Sequence, residues 1–127
     1  MSDEKRPVPG TIAWCDLTVP DAAKIREFYA AVAGWRTEAV SMGDYDDFSM
    51  IPAAGGDAVA GVCHARGGNA DIPAQWLIYV VVEDVDAGAA KTRELGGEVV
   101  VEPRPLAGGR FCVVRDPAGA VLALYTP

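Results

Sequence analysis

Residues 77–84 read Leu-Ile-Tyr-Val-Val-Val-Glu-Asp, and they lead into an alanine-rich run that ends in Gly96-Gly97. Residues 14–21, Trp-Cys-Asp-Leu-Thr-Val-Pro-Asp, lead in the same way into an alanine-rich run that ends in Gly34. A single shift of 63 residues superposes the two stretches and continues without a gap, matching Leu17 with Val80, Asp21 with Asp84, Gly34 with Gly97, Phe48 with Phe111, Gly56 with Gly119 and Ala60 with Ala123. Chance supplies a few such matches in a chain rich in Ala, Gly and Val, but not the whole ordered series. The chain therefore reads as a duplicated module, over residues 11–64 and 74–127, joined by the loop-like segment 65–73, Ala-Arg-Gly-Gly-Asn-Ala-Asp-Ile-Pro.

Each half opens on a strand, at 11–19 and 75–83, because aromatic and branched aliphatic residues dominate there. Asp21 is a helix N-cap, Ile25, Phe28, Tyr29 and Val32 recur at helical spacing, and Gly34 is the stop. The second helix is expected from about Asp86 to Leu95. Three strands follow in each half; in the second they are placed at Glu98–Glu102, Arg110–Val114 and Ala120–Tyr125, the last two joined by the turn Asp116-Pro117-Ala118-Gly119. The fold class is α+β, with two βαβββ modules forming a paired-sheet cup and the helices on its convex side.

Composition narrows the function. With 127 residues and 50% hydrophobic content the chain is sized for one domain. A net charge of -7 without any Lys/Arg cluster argues against a nucleic-acid partner, which needs concentrated positive charge. Residues 1–10 are charged and proline-bearing and read as a flexible tail, not a secretion signal, and no apolar run is long enough for a membrane span. Cys15, Cys63 and Cys112 are far apart and odd in number, which suits a reduced cytoplasm and buried free thiols more than nucleophiles.

The segments LTVPDAAKIREFYAAVAGW, VVVEDVDAGAAKTRELGG and GRFCVVRDPAGAVLALYTP, in that order on a βαβββ repeat, resemble the vicinal oxygen chelate superfamily, which includes glyoxalase I, bleomycin-resistance proteins, fosfomycin-resistance enzymes and extradiol dioxygenases. The resemblance covers about residues 10–127 and implies a cup with a small-molecule site inside. It also implies metal ligands at four strand positions in the metal-using members. Those positions fall here on Trp14, Leu77, Ala60 and Ala123, none of which can bind a metal. No metal and no cofactor is therefore expected.

Strand alternation then adds neighbours on the same face: Asp16 beside Trp14, Tyr79 beside Leu77, Val62 and His64 beside Ala60, and Tyr125 beside Ala123. Leu17, Val19, Val80 and Val82 are expected to face the helices, with Phe28 and Val32 as their partners. Asp16 and His64 are the proton-transfer candidates, a carboxylate facing an apolar cavity and the sole histidine. For each a plainer alternative stands, a rim carboxylate and an exposed strand-end histidine. The ligand-binding set is Trp14, Asp16, Phe48, Ala60, Val62, Leu77, Tyr79, Arg110, Ala123 and Tyr125, with Arg110 a candidate for a ligand carboxylate. The resemblance points first to binding or sequestration of a small aromatic or hydrophobic molecule, in the manner of bleomycin resistance. A metal-independent isomerase, lyase or epimerase is the alternative, then a metal-dependent glyoxalase or dioxygenase. The family also implies a homodimer.

Overall fold

A computed structural model describes residues 7–127. The elements follow in the order β1 (Ile12–Val19), α1 (Ala22–Ala33), β2 (Arg36–Ser41), β3 (Asp46–Ile51), β4 (Ala60–His64), β5 (Trp76–Val81), α2 (Val85–Glu94), β6 (Glu98–Leu106), β7 (Gly109–Arg115) and β8 (Val121–Thr126). Strand, helix and three strands thus occur twice, as the duplication predicts. Of the flexible tail expected at residues 1–10, residues 1–6 lie outside the described residues, while Gly10 is tied down, its N–H donating to the Val81 carbonyl at 2.7 Å.

Two compact units divide the chain. Trp14–Trp76 form the first; Leu77–Pro127, with the described residues up to Ala13, form the second. The opening residues Thr11–Ala13 therefore group with the later module, and Val81 N–H donates to the Thr11 carbonyl at 2.8 Å.

In the first unit the strand order is β2-β3-β4-β1. α1 begins where expected, because the Asp21 carboxylate accepts from the Lys24 N–H at 3.1 Å, and it ends at Gly34, whose N–H returns to the Ala30 carbonyl. Its inward stripe is Ala22, Ile25 and Tyr29, packed on Leu17, Val19, Phe48, Met50, Ala60 and Val62. Phe28 and Val32, expected as partners of that core, are instead 55% and 67% exposed. A residue as small as Ala22 lets the helix seat closely through 22, 25 and 29, which turns 28 and 32 outward; Phe28 keeps only an edge contact with Tyr29. Tyr29 also accepts from the Trp76 indole N–H at 3.2 Å, so Trp76 closes this core. Segment 65–73 is more than a flexible loop: it holds one 3-10 turn at Gly67–Asn69, and Ile72 is buried.

In the second unit the order is β5-β8-β7-β6. Asp84 caps α2 through the Ala87 N–H at 3.2 Å, so the helix starts at Val85, ahead of the Asp86 expected. Val85 and Ala89 pack on Cys112 and Val114, with Val82, Val99, Leu122 and Leu124 around them. The turn before β8 forms as read: the Asp116 carboxylate accepts from the Ala118 and Ala120 N–H groups at 2.7 and 3.0 Å, and Gly119 takes a φ of 96° that a side chain would oppose.

β6 carries two irregularities. Against β7 its register steps from Val99↔Val114 to Val101↔Val113, and then to Arg104↔Phe111, so two residues of β6 are bulged. The first bulge lets Val99 face α2 and Val101 face away; the second sets Arg104, not Pro103, opposite Phe111.

Candidate functional site

Each sheet has one face under its helix and one turned away, and the ladder registers say which residues share a face, because cross-strand partners project to the same side. In the first unit Leu17 pairs with Val62 and Phe48 with Val62. All three belong to the core under α1. On the opposite face Asp16 pairs with Gly61, Thr18 with Cys63, and Ser49 with Gly61.

This placement corrects the expected parity of β4. Ala60, Val62 and His64 alternate with Gly61 and Cys63, so they lie on the side of Leu17 and Val19 and not on that of Trp14 and Asp16. Phe48 is likewise beneath α1, buried under the Arg26 guanidinium at 4.4 Å from its ring centre. The cause is register. Leu17 and Val80 are equivalent, yet they pair with Val62 and Leu124, whose pairing partners are Phe48 and Cys112. Phe48 therefore corresponds to Cys112 and Gly61 to Ala123, one residue off the gapless shift. The connections differ in length, with eight residues between β3 and β4 and five between β7 and β8. In this corrected register the strand positions for metal donors are Trp14, Gly61, Leu77 and Ala123, which offer no side-chain oxygen, ring nitrogen of a histidine or thiolate. No three His, Cys, Asp or Glu side chains converge as a metal-holding group among the described residues.

Gly61 makes room on the face turned from α1. A Cβ there would lie 3.3 Å from the Asp16 Cβ and 3.5 Å from the Trp14 ring. Trp14 and Asp16 are thus brought together as the sequence reading proposed, and Asp16 is 8% exposed. The Cys63 thiol is pushed well up by burial, then by the negative charges of Asp16 and Asp47 and by its hydrogen bond to Asp47. Burial and then Asp16 raise Cys15 as well. Both thiols stay protonated near neutrality, which removes them as nucleophiles.

Asp47 is the residue that sequence reasoning missed. It is 8% exposed, and one carboxylate oxygen receives the His64 backbone N–H at 2.8 Å and stands 3.3 Å from His64 Nδ1. Since a carboxylate only accepts, this contact places a proton on Nδ1 and leaves Nε2 as the acceptor of the neutral ring. His64 is packed edge-on against Tyr45 at 5.4 Å, and Arg66 covers that tyrosine at 4.0 Å. The histidine is therefore neither an exposed strand end nor a neighbour of Asp16 on its face. Asp47 falls in Gly43-Asp44-Tyr45-Asp46-Asp47, where three aspartates give no hint of which one turns inward.

The second unit is organised differently. Tyr79 pairs with Ala123, Val81 with Tyr125, Phe111 with Tyr125, and Arg104 with Phe111, so these residues share the face turned from α2. Leu77, Tyr79, Ala123 and Tyr125 thus lie together as read from sequence, with Val80 and Val82 on the helix side. Tyr79 and Phe111 stack at 6.3 Å with 23° between their planes, and the Arg104 guanidinium sits 5.1 Å from the Phe111 ring centre. Phe111 is 3% exposed and Tyr79 7%.

Arg110 does not reach this face. It binds Asp86 of α2 in a two-pronged pair, Nε to Oδ2 at 3.0 Å and Nη2 to Oδ1 at 2.9 Å, so it fastens β7 to the helix start. Cys112, beside α2, is raised to about 11 by burial and then by Asp86 and Glu102. A groove of about 380 Å³ in this unit is lined by Pro7, Val8, Pro9, Glu83, Thr126 and Pro127 together with Val81 and Val82, away from the stacked pair.

Comparison with known proteins adds four findings. A family model described as the Glyoxalase/Bleomycin resistance protein/Dioxygenase superfamily matches residues 11–124. The anthracycline biosynthesis protein DnrV of Streptomyces peucetius is 34% identical over 129 residues, covering 92% of this chain but 47% of its own, so the chain spans about half the length of this relative. Among solved structures, Streptomyces coelicolor methylmalonyl-CoA epimerase in complex with 2-nitronate-propionyl-CoA aligns with a TM-score of 0.54 at 23% identity, covering 94% of this chain and 98% of that one. The 2,3-dioxygenase LapB of Pseudomonas sp. KL28 aligns with a TM-score of 0.55 at 14% identity, covering 94% of this chain and 43% of that one. At these identities the structural likeness establishes the fold.

Proposed function

Because this chain belongs to the Glyoxalase/Bleomycin resistance protein/Dioxygenase superfamily, we propose that it is a small-molecule protein of that family which binds a planar aromatic or hydrophobic compound without a metal centre. The observation that carries the reading is the aromatic and apolar make-up of the second unit's face turned from its helix, where half-buried Tyr125 lies beside Leu77, Ala123 and the buried Tyr79–Phe111 stack. The Tyr125 ring on this apolar base suits a flat ligand, since stacking adds to area burial at little entropic cost. The relation to DnrV, which is named for anthracycline biosynthesis, supports the same choice, because anthracyclines are fused-ring aromatic compounds.

The positions that hold metal in the family carry no donors here, so no step is assigned to a metal. A second reading, a metal-independent isomerase, lyase or epimerase, is favoured by the buried Asp16 on the first unit's outward face. A carboxylate there is placed to take or return a proton beside a carbonyl. Homodimerisation, a family expectation, and a cytoplasmic location, expected from the three scattered cysteines, accompany the proposal; no helix of the described residues is long and apolar enough to cross a membrane.

A thermal-shift screen of planar aromatic compounds, with and without EDTA, tests the proposal. Stabilisation by a compound recovered unchanged supports binding; at about 100 times Kd it amounts to roughly 2.7 kcal/mol. Conversion of the compound moves the assignment to the enzyme reading. Loss of stabilisation on adding EDTA, or a stoichiometric metal in the purified protein, overturns the metal-free assignment, and no response to any planar aromatic overturns the binding one.

A further inference from the structure

Among the described residues β2 is the outermost strand of the first unit, and it is regular throughout. All of its residues pair with β3 without a register shift, from Arg36↔Ile51 to Ser41↔Asp46, and none is proline. The ladder runs on into the turn, where the Met42 N–H donates to the Tyr45 carbonyl at 2.8 Å. Along an antiparallel pair, opposed residues that exchange hydrogen bonds alternate with opposed residues that do not. Arg36, Glu38 and Val40, at even steps from Met42, therefore turn their backbone groups toward β3, and Thr37, Ala39 and Ser41 turn theirs outward. Every residue of the strand but Thr37 is exposed.

The side chains at this edge complement a copy of themselves. Thr37 receives the Arg26 guanidinium of α1 at 3.2 Å, so Arg36 and Glu38 on either side of it share the face turned from that helix. A two-fold axis at Thr37 would set two β2 strands antiparallel, with Thr37 opposite Thr37 and each Arg36 opposite the other copy's Glu38. Those charged pairs fall at the positions without hydrogen bonds, where opposing side chains stand closest. An axis at Ala39 would lose both pairs and set Glu38 against Val40.

From this geometry we propose that β2 is an association edge for a second copy of this chain, joined antiparallel about Thr37 by outward backbone groups and two Arg36–Glu38 pairs. Charges of one sign at these two places would repel a second copy, and a proline or a bulge would break the ladder. The inference goes beyond the small-molecule reading and does not depend on it.

Sedimentation velocity on the full chain, from about 10 μM to about 1 mM, tests it across the range of weak interfaces. The unmodified chain is expected to form dimers. Glu38→Arg opposes guanidinium groups across the axis and should weaken them about tenfold, and combining it with Arg36→Glu should restore them. Ala39→Pro removes an outward N–H that β3 does not use, a change an edge strand tolerates, so a monomer with native circular dichroism is expected. Should that variant lose its native spectrum, the charge exchange alone decides. A chain that stays monomeric at about 1 mM overturns the proposal. So do dimers that Glu38→Arg or a folded Ala39→Pro leaves intact, and so does an exchange that fails to restore them.

Discussion

On the face turned from α1 the first unit presents Trp14, Asp16, Asp47, Gly61 and Cys63, whereas on the face turned from α2 the second presents Leu77, Tyr79, Phe111, Ala123 and Tyr125. By ladder register these are equivalent sites, so Asp16 answers to Tyr79, Asp47 to Phe111 and Cys63 to Tyr125. Positions under the helices behave otherwise: Leu17 answers to Val80, Val62 to Leu124 and Phe48 to Cys112, apolar for apolar. Helix packing demands the same chemistry of both copies, because each must bury one sheet face. The faces turned from the helices have no helix to match, and there one copy holds acids around a protonated thiol while the other holds stacked rings and a cation.

The strongest way to break this contrast is to remove the ring at its centre. Phe111→Ala deletes a 3% exposed side chain together with the seat of Arg104 and the stacking partner of Tyr79, and it is expected to destabilise by about 3–5 kcal/mol in urea denaturation. A loss below about 1 kcal/mol would mean that the second face is not organised around this ring.

The equivalent change in the first unit, Asp47→Ala, is expected to cost less, about 1–3 kcal/mol, by orphaning the His64 N–H and the Cys63 thiol. Its sharper readout is the imidazole nitrogen NMR spectrum, in which the Nδ1–H tautomer of neutral His64 should lose its dominance. An unchanged tautomer ratio in Asp47→Ala would remove Asp47 as the orienting group.

The smallest effect belongs to Cys112 on the shared, helix-packed face. Its thiol is raised to about 11 in the folded protein, above the ordinary value of the unfolded chain. Between those two values the unfolded chain has lost a proton that the folded one keeps, so stability falls as pH rises. Between about pH 8 and pH 10 the unmodified protein should lose on the order of 1 kcal/mol more than Cys112→Ala. Parallel pH dependences of the two would show that the thiol is not held protonated by burial.

The duplicated frame was legible because caps, helix stops and the Asp116 turn are local chemistry, written in residues such as Asp21, Asp84, Gly34 and Gly119. The second outward face was legible for the same reason, since β5 and β8 alternate cleanly through Tyr79 and Tyr125. What escaped was register. A gapless match of Phe48 with Phe111 and Ala60 with Ala123 looked sound, yet connections of unequal length displaced those strands by one residue, and one residue reverses a face. Asp47 and Arg104 were missed because each depends on a tertiary event, a carboxylate turned onto the next strand's N–H and a bulge.

That bulged strand has another consequence. β6 is the last strand of its sheet, and its outer edge is where the backbone of another chain would pair if it could. Pro103 and Pro105 lack the N–H groups such pairing needs, and two bulges in nine residues break the even spacing of the rest. The irregularity that brings a guanidinium to a ring also blunts this margin against strand addition and fibrillar growth. Any lasting association between copies of the chain has to be built elsewhere, and not from a continued sheet at β6.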